Sequence, residues 1–147
     1  MYQRILIATD GSALSKKAVA SSIRLAALTG AELIAVKVVP RYPMSYFEGS
    51  MAMSLQDISR VEKQWTEQGQ ALVDAVKKAA EAKGVKARAV TVKSDFVADA
   101  IMATTRKYKC DLVVMASHGR KGLKRILLGS ETQHVLTHST VPVLVLR

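Results

Sequence analysis

Five short apolar runs alternate along the chain with stretches of helical period, and this alternation restricts the fold to a sheet whose strands are joined by helical crossovers. Residues 3–8 hold Ile5, Leu6, Ile7 and Ala8 and stop at the turn signal Asp10-Gly11-Ser12. From Ser12, the positions Ala18, Val19, Ile23, Ala26 and Ala27 recur at helical spacing until Gly30 supplies a left-handed stop. Residues 33–39 read as a second buried strand. Leu55, Ile58, Val61, Trp65, Leu72, Val76 and Ala79 then mark a long amphipathic helix, opened by a Ser54/Asp57 capping pair and closed at Gly84, with Trp65 expected in the core. A third strand over 86–92, a helix over 95–107 with Val97 and Ile101 on one face, a fourth strand over 111–116, a short helix over 130–138 and a fifth strand over 141–146 complete the order. Pro142 stands near the start of the last strand, where a missing ladder donor is tolerated. The expected fold is α/β, an open five-stranded parallel sheet with right-handed crossovers, helices on both faces and ligands beyond the carboxyl ends of the strands.

At 147 residues the chain has the commonest size of one domain, and 49% apolar with 23% charged residues is the balance of a folded globular protein. With no secretory pattern and no apolar run of membrane-spanning length, a cytoplasmic protein is expected. Cys110, the one cysteine, reads as a reduced thiol just before an apolar run. The net charge of +10 raises the question of nucleic acid, but most cations are scattered over helices, and no aromatic residues interleave with the basic quartet Arg120, Lys121, Lys124 and Arg125. Nucleic-acid binding therefore ranks last among the functional classes. Residues 40–53 form a long loop carrying Tyr42, Met44, Tyr46, Phe47, Met51 and Met53; a lid or partner surface and simple packing over the core both fit it.

Two loops leave carboxyl ends of strands with polar and glycine residues: residues 9–12 and residues 117–129. The second begins Ala116-Ser117-His118-Gly119 and, nine residues on, reaches Gly129-Ser130 at the start of a helix. Small residues give a phosphate access to backbone amides, and a helix amino terminus supplies positive charge. The same residues also fit turns at Gly119 and Gly129 with Ser130 as a helix cap completed by Gln133, and the spacing alone does not choose. Catalysis has weak support, because the loop lacks a Walker-type Gly-Lys-Ser/Thr ending and His118 is the one nearby base. His134 and His138 share a helix face, but without a third ligand they do not suggest a metal site, and His138 suits the helix carboxyl terminus.

The opening residues from Ile5 through Ser12, the block Asp111-Leu-Val-Val-Met-Ala-Ser-His-Gly119, Gly129-Ser130 and the ending Val141-Pro-Val-Leu-Val-Leu146 together resemble the universal stress protein family, in its ATP-binding branch. The resemblance covers essentially the whole chain, as one universal stress protein domain over residues 1–147. It implies a Rossmann-like sheet of order 3-2-1-4-5. It also implies an ATP or adenine-nucleotide ligand, with or without Mg2+, in a regulatory stress-response protein whose activity is at most slow hydrolysis or autophosphorylation. Carried over, it places Asp10 and Val38 near ribose and adenine with Met115 and Ala116 alongside, and Gly119, Gly129 and Ser130 at the phosphates; Arg120, Glu131 and Thr132 complete the set. The family's pairing through the last strand implies a homodimer, in keeping with the apolar edge that residues 143–146 would otherwise expose. An unidentified protein partner belongs to the same reading, and a nucleotide-free interaction module of the same fold is the alternative. Ala116 replaces the motif's first glycine and fits if its φ is negative. Glu131 stands where a small or aliphatic residue is usual; its charge suits a helix amino terminus and opposes a phosphate.

Overall fold

The computed structural model describes residues 1–42, 54–119 and 128–147. Strands β1 (Arg4–Ala8), β2 (Glu32–Val39), β3 (Ala87–Lys93), β4 (Leu112–Ala116) and β5 (Val143–Leu146) pair in parallel, as the sequence pattern predicts, in the order β3-β2-β1-β4-β5 that the resemblance implies. Between them run α1 (Ala13–Thr29), α2 (Leu55–Glu81), α3 (Val97–Lys107) and α4 (Ser130–His138). Because successive strand residues point to opposite faces, each strand feeds two cores. Ile5, Ile7, Leu33, Ala35 and Val114 pack with Ala18 and Ile23 of α1 and Val73 and Val76 of α2. Leu6, Ile34, Val36, Val113 and Met115 pack with Ala98 and Ile101 of α3 and Val135 of α4. Burial on both faces explains why β1 and β4 read as unbroken apolar runs rather than alternating ones.

Local chemistry sets the element ends. Ser12 Oγ accepts from Ser15 N–H at 3.2 Å to start α1, and Ser54 Oγ accepts from Asp57 N–H at 3.1 Å to start α2. Pro142 precedes β5, and its carbonyl accepts from Val113 N–H at 3.0 Å, so the ring costs the ladder nothing. Trp65 departs from expectation: it is half-buried, not core, and stacks on Tyr42 with ring centroids 5.9 Å apart. The buried residues of α2 are Gly69, Val73, Val76 and Ala80, all after Trp65, so its amino-terminal half reaches past the main helix–sheet contact. The backbone N–H of Tyr42 donates to Glu62 Oε2 at 2.8 Å, binding the exit of β2 to that half of α2. The rest of the sticky loop, including Met44, Tyr46, Phe47, Met51 and Met53, lies outside the described residues. Among the described residues no helix is long and apolar enough to cross a membrane.

Candidate functional site

The chain leaves β1 toward β2 by way of α1 on one face of the sheet, and leaves β4 toward β5 by way of α4 on the other. Because β1 and β4 are neighbours, the loops that follow them part, and a crevice opens at this reversal of winding. A cavity of about 570 Å3 lies there, of a size that suits a small ligand.

The β1 loop is fixed by its own hydrogen bonds. Thr9 N–H donates to Val36 O at 3.0 Å, Ser12 N–H donates to Asp10 Oδ1 at 2.9 Å, and the hydroxyls of Thr9 and Ser15 lie 3.1 Å apart. Asp10 is thereby held in an Asx turn at the cavity mouth. The β4 loop is fixed through its backbone: Ser117 N–H donates to Leu146 O and Gly129 N–H donates to Ser117 O, each at 2.7 Å. Thr132, buried in α4, donates its hydroxyl to Ala116 O at 2.9 Å, which seats the helix against the strand end.

The two described glycines of this loop, Gly119 and Gly129, stand in confined space. A Cβ at Gly119 would fall against the Asp10 carboxylate, and one at Gly129 would lie 3.3 Å from Ser117 O and 3.4 Å from His118 Cα. Neither has a positive φ. Gly129 is also the N-cap of α4, with extended backbone and no side-chain capping bond. The capping box of Ser130 and Gln133, the alternative reading, is not formed: Ser130 is the first helical residue, and Gln133 Nε2 donates to Leu128 O at 3.0 Å. The amino end of α4, with its partial positive charge, borders the cavity.

Ala116 ends β4 with a φ outside the left-handed region, so the missing glycine places no strain on the loop. The Glu131 side chain turns to α3, whose N-cap Phe96 offers no side-chain acceptor, and Glu131 Oε2 accepts from Ala98 N–H at 3.0 Å. One helix thus caps the next across the cavity, and part of the carboxylate charge is drawn onto the amino end of α3.

Of the residues named from sequence, the structure brings Asp10, Val38, Met115, Ala116, Gly119, Gly129, Ser130, Glu131 and Thr132 to this cavity. Arg120, with Lys121, Lys124 and Arg125, lies outside the described residues. Sequence reasoning missed the apolar wall of Val36, Val97 and Ile101, because only the strand order sets α3 beside the end of β2. It also missed Lys37, which periodicity assigns to the opposite side of β2 from Val38 but which reaches the cavity rim.

His118 borders the cavity, its Nδ1 lying 3.1 Å from the Ser117 hydroxyl. His138 Nδ1 donates to His134 O at 3.0 Å, as suits the carboxyl end of α4, and His134 Nε2 lies 3.5 Å from Asp99. Among the described residues no group of three His, Cys, Asp or Glu side chains is arranged to hold a metal. Cys110 is buried away from the cavity, and burial pushes its thiol up to about 11, so it stays protonated at neutral pH.

Comparison with known proteins agrees with this architecture. A sequence profile of the Universal stress protein family matches residues 1–147. The Universal stress protein MJ0531 of Methanocaldococcus jannaschii is 37% identical over 147 residues, which is the whole of this chain and 83% of that protein. The solved structure of MJ0577 from the same organism superposes with a TM-score of 0.83 at 28% identity, covering 99% of this chain and 96% of that one. A universal stress protein in complex with cAMP superposes with a TM-score of 0.69 at 25% identity, covering 99% and 97% of the two chains.

Proposed function

The chain belongs to the universal stress protein family, and from that premise we propose that its carboxyl-end cavity binds ATP or a related adenine nucleotide, and that occupancy regulates its interaction with a protein partner in a cytoplasmic stress response. The observation that carries this reading is the junction of two confined glycines with a helix amino terminus that lacks a side-chain cap. Gly119 and Gly129 leave room for a polyanion, and α4 presents its first N–H groups there. Val36, Val38, Val97, Ile101 and Met115 supply an apolar wall for a flat base, and Asp10 supplies a carboxylate acceptor for ribose hydroxyls. The relative solved with cAMP carries an adenine nucleotide, which supports the same ligand class here. Magnesium, when present, would offset phosphate charge near Asp10 and Glu131. Chemistry beyond binding is at most slow hydrolysis or autophosphorylation.

The edge strand β5 supports a homodimer: it pairs only with β4 within the described chain and leaves Leu144 40% exposed. A second reading, a nucleotide-free interaction module, draws on Glu131, whose carboxylate stands in the first turn of α4. Intact-protein mass spectrometry under non-denaturing conditions separates the two. The first reading predicts a co-purifying or added adenine nucleotide on each protomer of a dimer. The second predicts protein mass alone, even with millimolar ATP.

A further inference from the structure

At the opposite end of the sheet, the turns that lead from α1, α2 and α3 into β2, β3 and β4 enclose a groove of about 630 Å3 that the nucleotide reading does not use. Each turn passes through a left-handed residue, and all three line the groove: Gly30 (φ 75), Gly84 (φ 75) and Lys109 (φ 54). Glycine adopts this conformation freely, whereas any residue with a Cβ is disfavoured there. Lys109 is the one non-glycine residue with positive φ among the described residues, and it stands where its two counterparts are glycine.

The acids of the groove are already engaged. Asp111 accepts from Gln3 N–H at 2.8 Å and Arg4 N–H at 3.0 Å. Glu32 accepts from Arg88 Nε at 2.7 Å and meets Arg4 Nε at 3.5 Å, while Arg4 Nη1 donates to Tyr108 O at 3.3 Å. Near the end of each helix one carbonyl is engaged by the turn: Ala31, Val85 and Cys110 donate their N–H groups to Ala26, Ala80 and Thr105 at 3.1, 3.0 and 2.9 Å. Lys83, Lys86 and Lys109 line the groove with no ion pair within 4 Å among the described residues, and Lys86 acts on Glu32 only through its charge at longer range. The remaining lining is small, with Ala26, Ala27, Ala31 and Val85 and no aromatic ring.

We propose that this groove is a second anion site, in which Lys83, Lys86 and Lys109 hold a compact oligophosphate. Three ammonium groups act as point charges and suit a ligand of high charge density, and a lining whose apolar side chains are only alanines and one valine offers no ring for a stacked base. Because the lysines are exposed, their attraction is screened, and binding weakens as salt is raised. The site lies outside the carboxyl-end cavity, so it stands or falls independently of nucleotide binding there.

The test is a titration of the full chain with inorganic triphosphate at low ionic strength, followed through backbone amide NMR shifts. The expected result is a saturable shift at the amides of Gly30, Gly84 and Lys109 that persists in Gly119→Val. Affinity falls at least about tenfold in the Lys83→Gln/Lys86→Gln/Lys109→Gln variant. Lys109→Gly alone should weaken binding and at the same time raise the melting temperature by about 3 °C, because it relieves the left-handed backbone. Shifts confined to the amides of Gly119 and Gly129, or equal affinity in the triple variant and the parent, would overturn the proposal.

Discussion

Two pairs of glycines, one at each end of the sheet, are there for opposite reasons, and Gly11 at the carboxyl end, with φ 81, is a third case of backbone need. At the amino end, Gly30 and Gly84 have φ of 75 and nothing within 4 Å of where a Cβ would stand; at the carboxyl end, Gly119 and Gly129 have no positive φ and are hemmed in by Asp10, Ser117 and His118. The first pair answers a need of the chain, since a helix must turn into a strand. The second answers a need for space, since a carboxylate and a loop backbone come close at the mouth of a cavity. Glycine in sequence is therefore not a functional signal until its constraint is known.

Substitutions should separate the two ends. Gly119→Val should have the largest effect, a loss of ATP affinity of more than about a hundredfold with the far-ultraviolet circular dichroism unchanged, because the new side chain displaces Asp10 and fills the phosphate space. Gly30→Ala and Gly84→Ala should each cost about 1–2 kcal/mol in denaturant unfolding while ATP affinity stays within error, since the strain is in the backbone alone. Binding loss in these variants would erase the distinction. Gly129→Ala should fall between, with ATP affinity reduced about fivefold in calorimetry, because Ser117 O must yield by a few tenths of an ångström. Glu131→Gln should raise affinity about threefold for ATP and less for AMP, at a small cost in stability from the weakened cap on α3.

The smallest effect concerns acid. Burial raises the Glu32 pKa, but hydrogen bonds and charge from Arg88, with Lys86 and Arg4, outweigh it and hold the carboxyl below its usual 4.5. The folded state thus binds this proton less tightly than the unfolded state. The corresponding stability is present above pH 4.5 and is lost as pH falls through the lower folded-state value, and Glu32→Gln should flatten this part of the curve in urea titrations.

The fold was largely legible because β1, β2 and β4 are buried on both faces and the helices carry one-sided apolar periods; such patterns are local and survive reading one residue at a time. Trp65 was misplaced because periodicity gives the face of a residue and not how far along a helix the sheet extends beneath it. In the site, glycines and polar residues at strand ends could be read as a set, and the family resemblance gave them a ligand class. The Glu131 bond to Ala98 N–H could not be read, because it joins helices 33 positions apart in sequence. Nor could the open N-cap at Gly129, where Ser130 and Gln133 form a plausible capping pair by spacing alone. That Lys83 and Lys86 share a groove with Lys109 was hidden for the same reason, since the two turns that carry them are more than twenty residues apart.

The central claim, that space kept by Gly119 and Gly129 serves a nucleotide, is tested most directly by a thermal-shift titration of the parent chain and Gly119→Val with ATP and AMP, with and without magnesium. At one hundred times the dissociation constant, a ligand specific for the folded state stabilises it by about 2.7 kcal/mol, which for a chain of this size raises the melting temperature by several degrees. That rise is expected in the parent and not in Gly119→Val. No shift in the parent at millimolar nucleotide, or an equal shift in both, would contradict it.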